Sequence, residues 1–284
     1  MDVPQVTDAQ RAHAARFTTL HHAGATLALP NAWDAASARV FAAVGAQAVG
    51  TSSAGIAFSR GYPDGERIPL VEMIDVVRRM VAVVDVPVTV DIEAGYGNTR
   101  EAVLDTVRAA LDAGAVGVNL EDALTDRPGE LRATAEQARL IERVRALADA
   151  AGIDLYLNAR TDVHWLRLGE PGSRMEATLA RLAAYREAGA SGVFVPGVTD
   201  AETIAALVAG AGCPLNVLAG PRSPDIVGMT RLGVARVSVG SGPARAIMAL
   251  TRRIGIDLLE HGRFDAMLAD TIPYAEANAM FERR

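Results

Sequence analysis

Short apolar runs rich in β-branched residues alternate along the chain with longer segments whose apolar residues recur every three or four positions. That alternation is the pattern of parallel strands joined by helices. The runs predict strands at 27–31, 48–52, 88–92, 117–121, 155–160, 192–195, 215–219 and 236–240. The helical spacing predicts helices over 33–44, 69–83, 99–113, 134–150, 174–188, 200–209, 224–232 and 243–261. Gly114, Gly189 and Gly233 each sit between a predicted helix and the next strand, where glycine suits the left-handed residue past a helix end. Eight such units favour a closed barrel over an open doubly wound sheet. The predicted fold class is therefore α/β, a (β/α)8 TIM-type barrel forming a single domain over 1–284. An extra N-terminal helix begins at Thr7, with Thr7-x-x-Gln10 reading as a capping box, and residues 262–284 form a C-terminal helical extension.

Composition narrows the chemistry. All 28 residues counted as Lys+Arg are arginine, so Schiff-base aldolases, pyridoxal phosphate enzymes, P-loop hydrolases and Ser-Lys catalysis are excluded for want of an amine. The formal charge of −6 is spread along the chain rather than gathered into a patch, which argues against a nucleic-acid partner. No signal-peptide pattern or membrane-spanning apolar stretch is present, so no membrane association and a cytoplasmic location are expected. The single cysteine, Cys213, excludes an internal disulfide and a thiolate zinc cluster. It precedes Pro214 at the entry to the seventh strand, the end remote from chemistry, and reads as structural.

In such barrels the working groups project from the C-terminal ends of the strands. Strand two ends in Thr51-Ser52-Ser53, strand three in Asp91-Ile92-Glu93, strand four in Glu121-Asp122 and strand five in Arg160-Thr161-Asp162. On an extended strand Asp91 and Glu93 point the same way, and Glu121 on the next strand can join them. Three carboxylates without His or Cys form a hard-cation site suited to Mg2+ or Mn2+; the plainer reading makes them helix caps or partners of arginines. Arg160 can clamp a substrate carboxylate, with backbone amides near Ser52 and Ser53 holding an oxyanion, or it can pair internally with Asp162 or Glu121. His21 and His22 close the N-terminal helix as capping or surface residues, and His164 follows strand five beside Asp162. Gly95-Tyr96-Gly97 reads as a turn over the site. Gly220 and Gly240-Ser241-Gly242 lie where barrels bind phosphate, which keeps a phosphosugar-binding enzyme as a competing reading.

Taken in order, these motifs resemble the isocitrate lyase and phosphoenolpyruvate mutase superfamily over nearly the whole chain. The resemblance rests on Asn31-Ala32-Trp33-Asp34, Thr51-Ser52-Ser53-Ala54-Gly55, Gly61-Tyr62-Pro63-Asp64, Val90-Asp91-Ile92-Glu93-Ala94-Gly95-Tyr96-Gly97, Val118-Asn119-Leu120-Glu121-Asp122 and Asn158-Ala159-Arg160-Thr161-Asp162. It implies that Asp91 coordinates the metal, that Glu93 acts mainly through bound water and that Glu121 is the third metal-site acid. It also implies that Asp64 lies on a mobile loop near the metal's water shell. The catalytic candidates are Asp64, Glu121 and Arg160; the substrate-binding candidates are Trp33, Ser52, Ser53, Asp91, Arg160 and Asn216.

The departures matter as much. Family lyases carry a catalytic cysteine in the loop after strand four, which here reads Ala123-Leu124-Thr125-Asp126-Arg127-Pro128-Gly129-Glu130-Leu131-Arg132. The mutase and some decarboxylases place a histidine after strand six, where this chain has Val195-Pro196-Gly197. The resemblance implies a magnesium-dependent enzyme acting on a small 2-oxo carboxylate through an enolate-like intermediate, with carbon–carbon cleavage of the lyase or decarboxylase type. Its rivals are carbon–phosphorus chemistry on a phosphonopyruvate-type substrate and non-catalytic binding of 2-oxo acids. It also implies a homodimer or homotetramer in which the last helix is exchanged between subunits.

Overall fold

The computed structural model describes residues 4–97 and 99–282. A first helix, α1 (Asp8–Leu20), precedes β1 (Leu27–Leu29), β2 (Asn31–Ala32), α2 (Ala35–Ala43), β3 (Val49–Thr51), α3 (Ser53–Ser59) and α4 (Leu70–Val83). There follow β4 (Val88–Asp91), α5 (Arg100–Asp112), β5 (Gly117–Glu121), α6 (Thr134–Ala150), β6 (Tyr156–Arg160), α7 (Pro171–Glu187) and β7 (Gly192–Val195). The chain ends with α8 (Ala201–Ala211), β8 (Leu215–Leu218), α9 (Ile226–Arg231), β9 (Arg236–Ser238), α10 (Gly242–His261), α11 (Asp265–Leu268) and α12 (Tyr274–Ala279).

Every strand pair is parallel, in the order β1-β9-β8-β7-β6-β5-β4-β3-β2. The predicted first strand, 27–31, is in fact broken at Pro30, which has no N–H to give the ladder. Its two pieces divide the work of closure, β1 pairing with β9 and β2 with β3. The predicted barrel is present, and its other strands start or stop within two residues of their expected limits. Two elements differ more. Helix α7 starts at Pro171, a residue suited to a first helical turn, and α3 was not expected at all. The junction glycines behave as predicted, with φ of 94°, 97° and 81° at Gly114, Gly189 and Gly233.

Helices cover the barrel with periodic apolar faces: α4 buries Met73, Ile74, Val76, Val77 and Met80. The floor is closed by α1. Thr7 caps it by accepting from the Gln10 amide at 3.1 Å, but the reciprocal half of the capping box is missing. The Gln10 side chain instead donates to the carbonyls of Leu111 and Ala115 at 2.9 and 2.8 Å, tying the helix to the α5–β5 junction. His21 is correspondingly no surface residue: it is buried and stacks on Tyr156 with centroids 3.8 Å apart, while His22 is exposed. The barrel interior is polar. Arg236 on β9 donates to Asn119 on β5 at 2.8 Å, and since those strands are not neighbours the bond crosses the ring. Asn158 donates to the same oxygen at 2.9 Å.

Candidate active site

Asp91, Glu121 and Arg160 end three successive strands, so the topology places them side by side at one rim, with Glu121 directly opposite Arg160 in the register. The Arg160 guanidinium lies 2.8 Å from Glu121 and grips Asp162 with two bonds, Nε at 2.6 Å and Nη2 at 2.9 Å. The internal ion pair is thus formed, leaving the remaining N–H donors of the fork for a ligand. Arg160 also lies 5.6 Å from the Phe194 ring centroid. Asp162 is fixed from behind: its amide donates to Asp122 at 3.0 Å. Asp122 is fully buried and accepts from Tyr185 Oη at 2.7 Å and Arg181 at 3.0 Å. Asp122 and Asp162 stand in motifs the sequence offers, but the bracing role of Asp122, with Tyr185 and Arg181, was not read from it.

Asp91 accepts from Ser53 Oγ at 3.0 Å, and its own amide donates to Thr51 Oγ1 at 2.9 Å. Glu93 corrects the expectation drawn from an extended strand. It lies beyond β4 with φ of 50°, so its side chain is set by a left-handed turn rather than by strand alternation. Its carboxylate accepts the Glu66 amide at 3.2 and 3.1 Å and faces Tyr96 Oη at 3.4 Å. Burial, then the charges of Asp91 and Asp64, push Glu93 up to about 8. Burial raises Asp91 too, against the pull of Arg160, and raises Glu121 well above the usual carboxylate range despite the same arginine. Asp64 sits exposed on the loop after α3, its charge felt by both Asp91 and Glu93.

Buried carboxylates thus crowd this rim, and burial with their neighbours' charge holds them above the usual carboxylate range. Among the described residues, no three His, Cys, Asp or Glu side chains form a ready-made metal cage. The donor set is nonetheless all hard oxygen and suits an ion that keeps several waters and takes only one or two protein carboxylates directly.

Other candidates fall elsewhere. Ser52 spends its hydroxyl on the Gly55 amide as the cap of α3 and its own amide on the Ala32 carbonyl at 2.9 Å, so it is not the expected oxyanion donor. Ser53 opens the helix instead. Trp33 is half-buried in the wall of an apolar cavity of about 430 Å³, with Phe58, Ala244 and Met248. Asn216 is inside the barrel on β8, its Nδ2 3.4 Å from Ser238 Oγ and its Oδ1 without a partner among the described residues. His164 packs near Arg174 and Asp200, its pKa lowered by burial and then by Arg174.

The loops of the competing phosphosugar reading already spend several of their amides within the protein. Asn31 Oδ1 accepts the amides of Val239 and Gly240 at 2.8 and 2.9 Å, and Ser223 Oγ accepts that of Gly220 at 2.9 Å. In the 123–132 loop, Arg127 pairs with Glu130 at 3.1 Å, and Arg132 turns inward to the Ala94 carbonyl at 3.2 Å.

Glu66 is a further residue that spacing alone did not reveal. Its carboxylate accepts the Tyr96 amide at 2.6 Å and Thr125 Oγ1 at 2.9 Å, while its own amide holds Glu93. Glu66, Glu93 and Tyr96 all have positive φ, of 57°, 50° and 58°. Three loops are thereby knotted above the acids by residues in a costly conformation, as is common at functional sites.

Fold and rim together define a (β/α)8 barrel with an acidic, arginine-clamped mouth. The phosphoenolpyruvate phosphomutase family model matches residues 17–259, and the chain belongs to that family, within the isocitrate lyase and phosphoenolpyruvate mutase superfamily. It lacks the lyase loop cysteine. It is 34% identical over 268 residues to the uncharacterized protein Rv1998c of Mycobacterium tuberculosis (strain ATCC 25618 / H37Rv), covering 93% of this chain and 95% of that one. An oxaloacetate decarboxylase of Rhodopseudomonas palustris (strain BisA53) is 34% identical over 200 residues, 68% of this chain and 65% of its own. A crystal structure from Burkholderia cenocepacia J2315, provisionally described as a lyase/mutase, superposes with a TM-score of 0.89 at 35% identity, covering 98% of each chain.

Proposed function

We propose that this protein is a lyase that uses Mg2+ or Mn2+ to break a carbon–carbon bond in a small 2-oxo dicarboxylate of the oxaloacetate type. The observation that carries this reading is the convergence of Asp91, Glu121 and Arg160 on consecutive strand ends, with Glu93 on the turn just past β4. The resemblance to the decarboxylase supports it. Asp91 would hold the metal directly, with Glu93, Glu121 and Asp64 acting on its water shell. When bound, the ion supplies a Lewis acid for the 2-oxo oxygen.

The chain's own residues do the rest. Arg160, held rigid by Asp162 and by Asp122 behind it, receives a substrate carboxylate on its free N–H donors. Ser53 steadies Asp91 beside the 2-oxo group. As the bond to the departing carboxylate breaks, its electron pair moves into an enolate whose negative charge the Arg160 guanidinium, and the ion when bound, would stabilise. Carbon dioxide leaves and the enolate carbon takes a proton from water. That step requires no loop cysteine. Isocitrate and methylisocitrate cleavage are disfavoured, because the missing general acid or base contributes typically about 10²–10⁴-fold.

The test is carbon dioxide release from oxaloacetate, with and without Mg2+, by wild type, Asp91→Asn and Arg160→Gln. Turnover should require the metal and fall about 10²-fold or more in each variant. Metal-independent turnover, or none by wild type, would overturn the assignment. Phosphate release from phosphonopyruvate would favour carbon–phosphorus chemistry instead, and metal-dependent binding without turnover of either substrate would favour a binder.

A further inference from the structure

Beside the barrel mouth, an open cavity of about 390 Å³ lies between the N-terminal turns of α5 and α6, lined in part by Gly97, Thr99, Arg100, Arg132, Glu136 and Arg139. Three guanidinium groups thus face one carboxylate, in a chain whose net charge is −6. None of the three forms an ion pair with a described residue. Arg139 donates Nε to the Ala135 carbonyl at 3.0 Å, and Arg132 donates to Ala94 and to the Gln137 side chain. Arg108, on the same helix as Arg100, does pair, with Glu101 at 2.9 Å and Asp105 at 2.6 Å. Arg132 feels the charges of Asp122, Glu66 and Glu136, whereas no ion pair with a described residue offsets Arg100 or Arg139, and an arriving anion relieves the repulsion among the clustered cations.

The backbone adds to the same preference. Thr99 caps the Ala102 amide of the 13-residue α5, and among the described residues no side chain takes the amides before it. Ala133 gives the 17-residue α6 no side-chain cap at all. Two helix N-termini, each carrying a partial positive charge, therefore meet at one arginine-lined hollow.

We propose that this cavity binds the phosphoryl group of a small phosphate ester or of free phosphate, at a site separate from the reaction centre. In the cavity wall itself guanidiniums outnumber carboxylates three to one, which suits the negative charge of a phosphate near neutral pH. Guanidinium forks and helix amides supply the donors its oxygens need. The site communicates with the rim. Arg132 fixes the Ala94 carbonyl next to Glu93, so an anion held by Arg132 steadies the loop that carries that acid.

Calorimetric titration of the full chain with inorganic phosphate and with glycerol 3-phosphate tests this, at low ionic strength and without divalent metal. Wild type, Arg100→Gln/Arg139→Gln and Arg160→Gln are compared. Both substituted cavity arginines are exposed, so the fold should survive. Binding should weaken roughly ten- to hundredfold in the cavity double variant and stay unchanged in Arg160→Gln. Binding of either probe that weakens in the double variant supports the site, and a preference for the ester shows that the organic part is also read. No heat at millimolar probe, an undiminished affinity in the double variant, or a loss confined to Arg160→Gln would overturn it. These outcomes are independent of whether the mouth cleaves oxaloacetate.

Discussion

His21 shows how one buried side chain makes stability depend on pH. Its Nδ1 lies 2.7 Å from the Phe17 carbonyl, so the proton sits there, while the buried Nε2 meets no donor among the described residues. Burial first, then the charge of Arg236, pull its pKa down to about 3. An unfolded chain takes up this proton near pH 6.5, as an unperturbed histidine does, so below that pH the unfolded state binds more protons and stability falls as pH falls. The loss approaches about 1.4 kcal/mol per pH unit and ends near the folded pKa. His21→Phe keeps the stacking and removes the titration. Urea unfolding between about pH 7 and about pH 4 should show the wild type losing stability relative to the variant at that slope; a constant difference would contradict it.

At this scale Asp91, Glu121 and Arg160 could be read directly from the sequence, because a residue that ends a barrel strand has few places to go. Glu93, Glu66 and Asp122 could not be placed in the same way. Their positions depend on left-handed turns and on partners some thirty to sixty residues away in sequence, such as Tyr96 for Glu66 and Tyr185 for Asp122.

Among the elements, the eight strand-and-helix units were readable because buried parallel strands and amphipathic helices leave different periodicities. Two features were not. The seven-residue α3, SAGIAFS, is too short to show a helical period, and the break at Pro30 lies inside an otherwise ordinary apolar run. The knot of loops after α3, β4 and β5 is a third level of organisation that no local pattern encodes. Its keystone is the Glu66 carboxylate. Glu66→Ala removes the acceptor for the Tyr96 amide and Thr125 hydroxyl while keeping an unfavourable left-handed backbone, a local cost of about 1–3 kcal/mol. Hydrogen exchange should quicken in residues 61–69, 92–97 and 122–131 and stay unchanged in β7, β8 and β9. A uniform rise across the barrel would show instead that Glu66 supports the whole fold.

At the scale of the whole molecule, the C-terminal helices leave apolar surface that the barrel does not cover. Helix α10 is 20 residues long, yet Ala244 is its one buried residue. Met248, Leu259, Phe264, Leu268 and Tyr274 are exposed along α10, α11 and the start of α12, with Leu259 and Tyr274 at 83%. A periodic apolar face on a long helix is normally buried, and isolated soluble chains rarely expose a continuous patch of this kind. We propose that a second copy of the chain covers it, giving a homodimer or a tetramer of dimers in which this C-terminal segment is shared between subunits. A stable interface of this kind buries about 1,200–2,000 Å² or more, which a 20-residue helix and the two short helices after it can supply. Light scattering should therefore give at least twice the 29.8 kDa chain mass. Leu259→Glu combined with Leu268→Glu should shift the protein towards monomer and make its thermal midpoint fall on dilution, as mass action requires of an assembly near its dissociation constant. Both side chains are already exposed within the chain, so their replacement leaves the barrel core intact. A wild-type protein that stays monomeric at micromolar concentration, with the tail resistant to protease, would show that these helices need no partner.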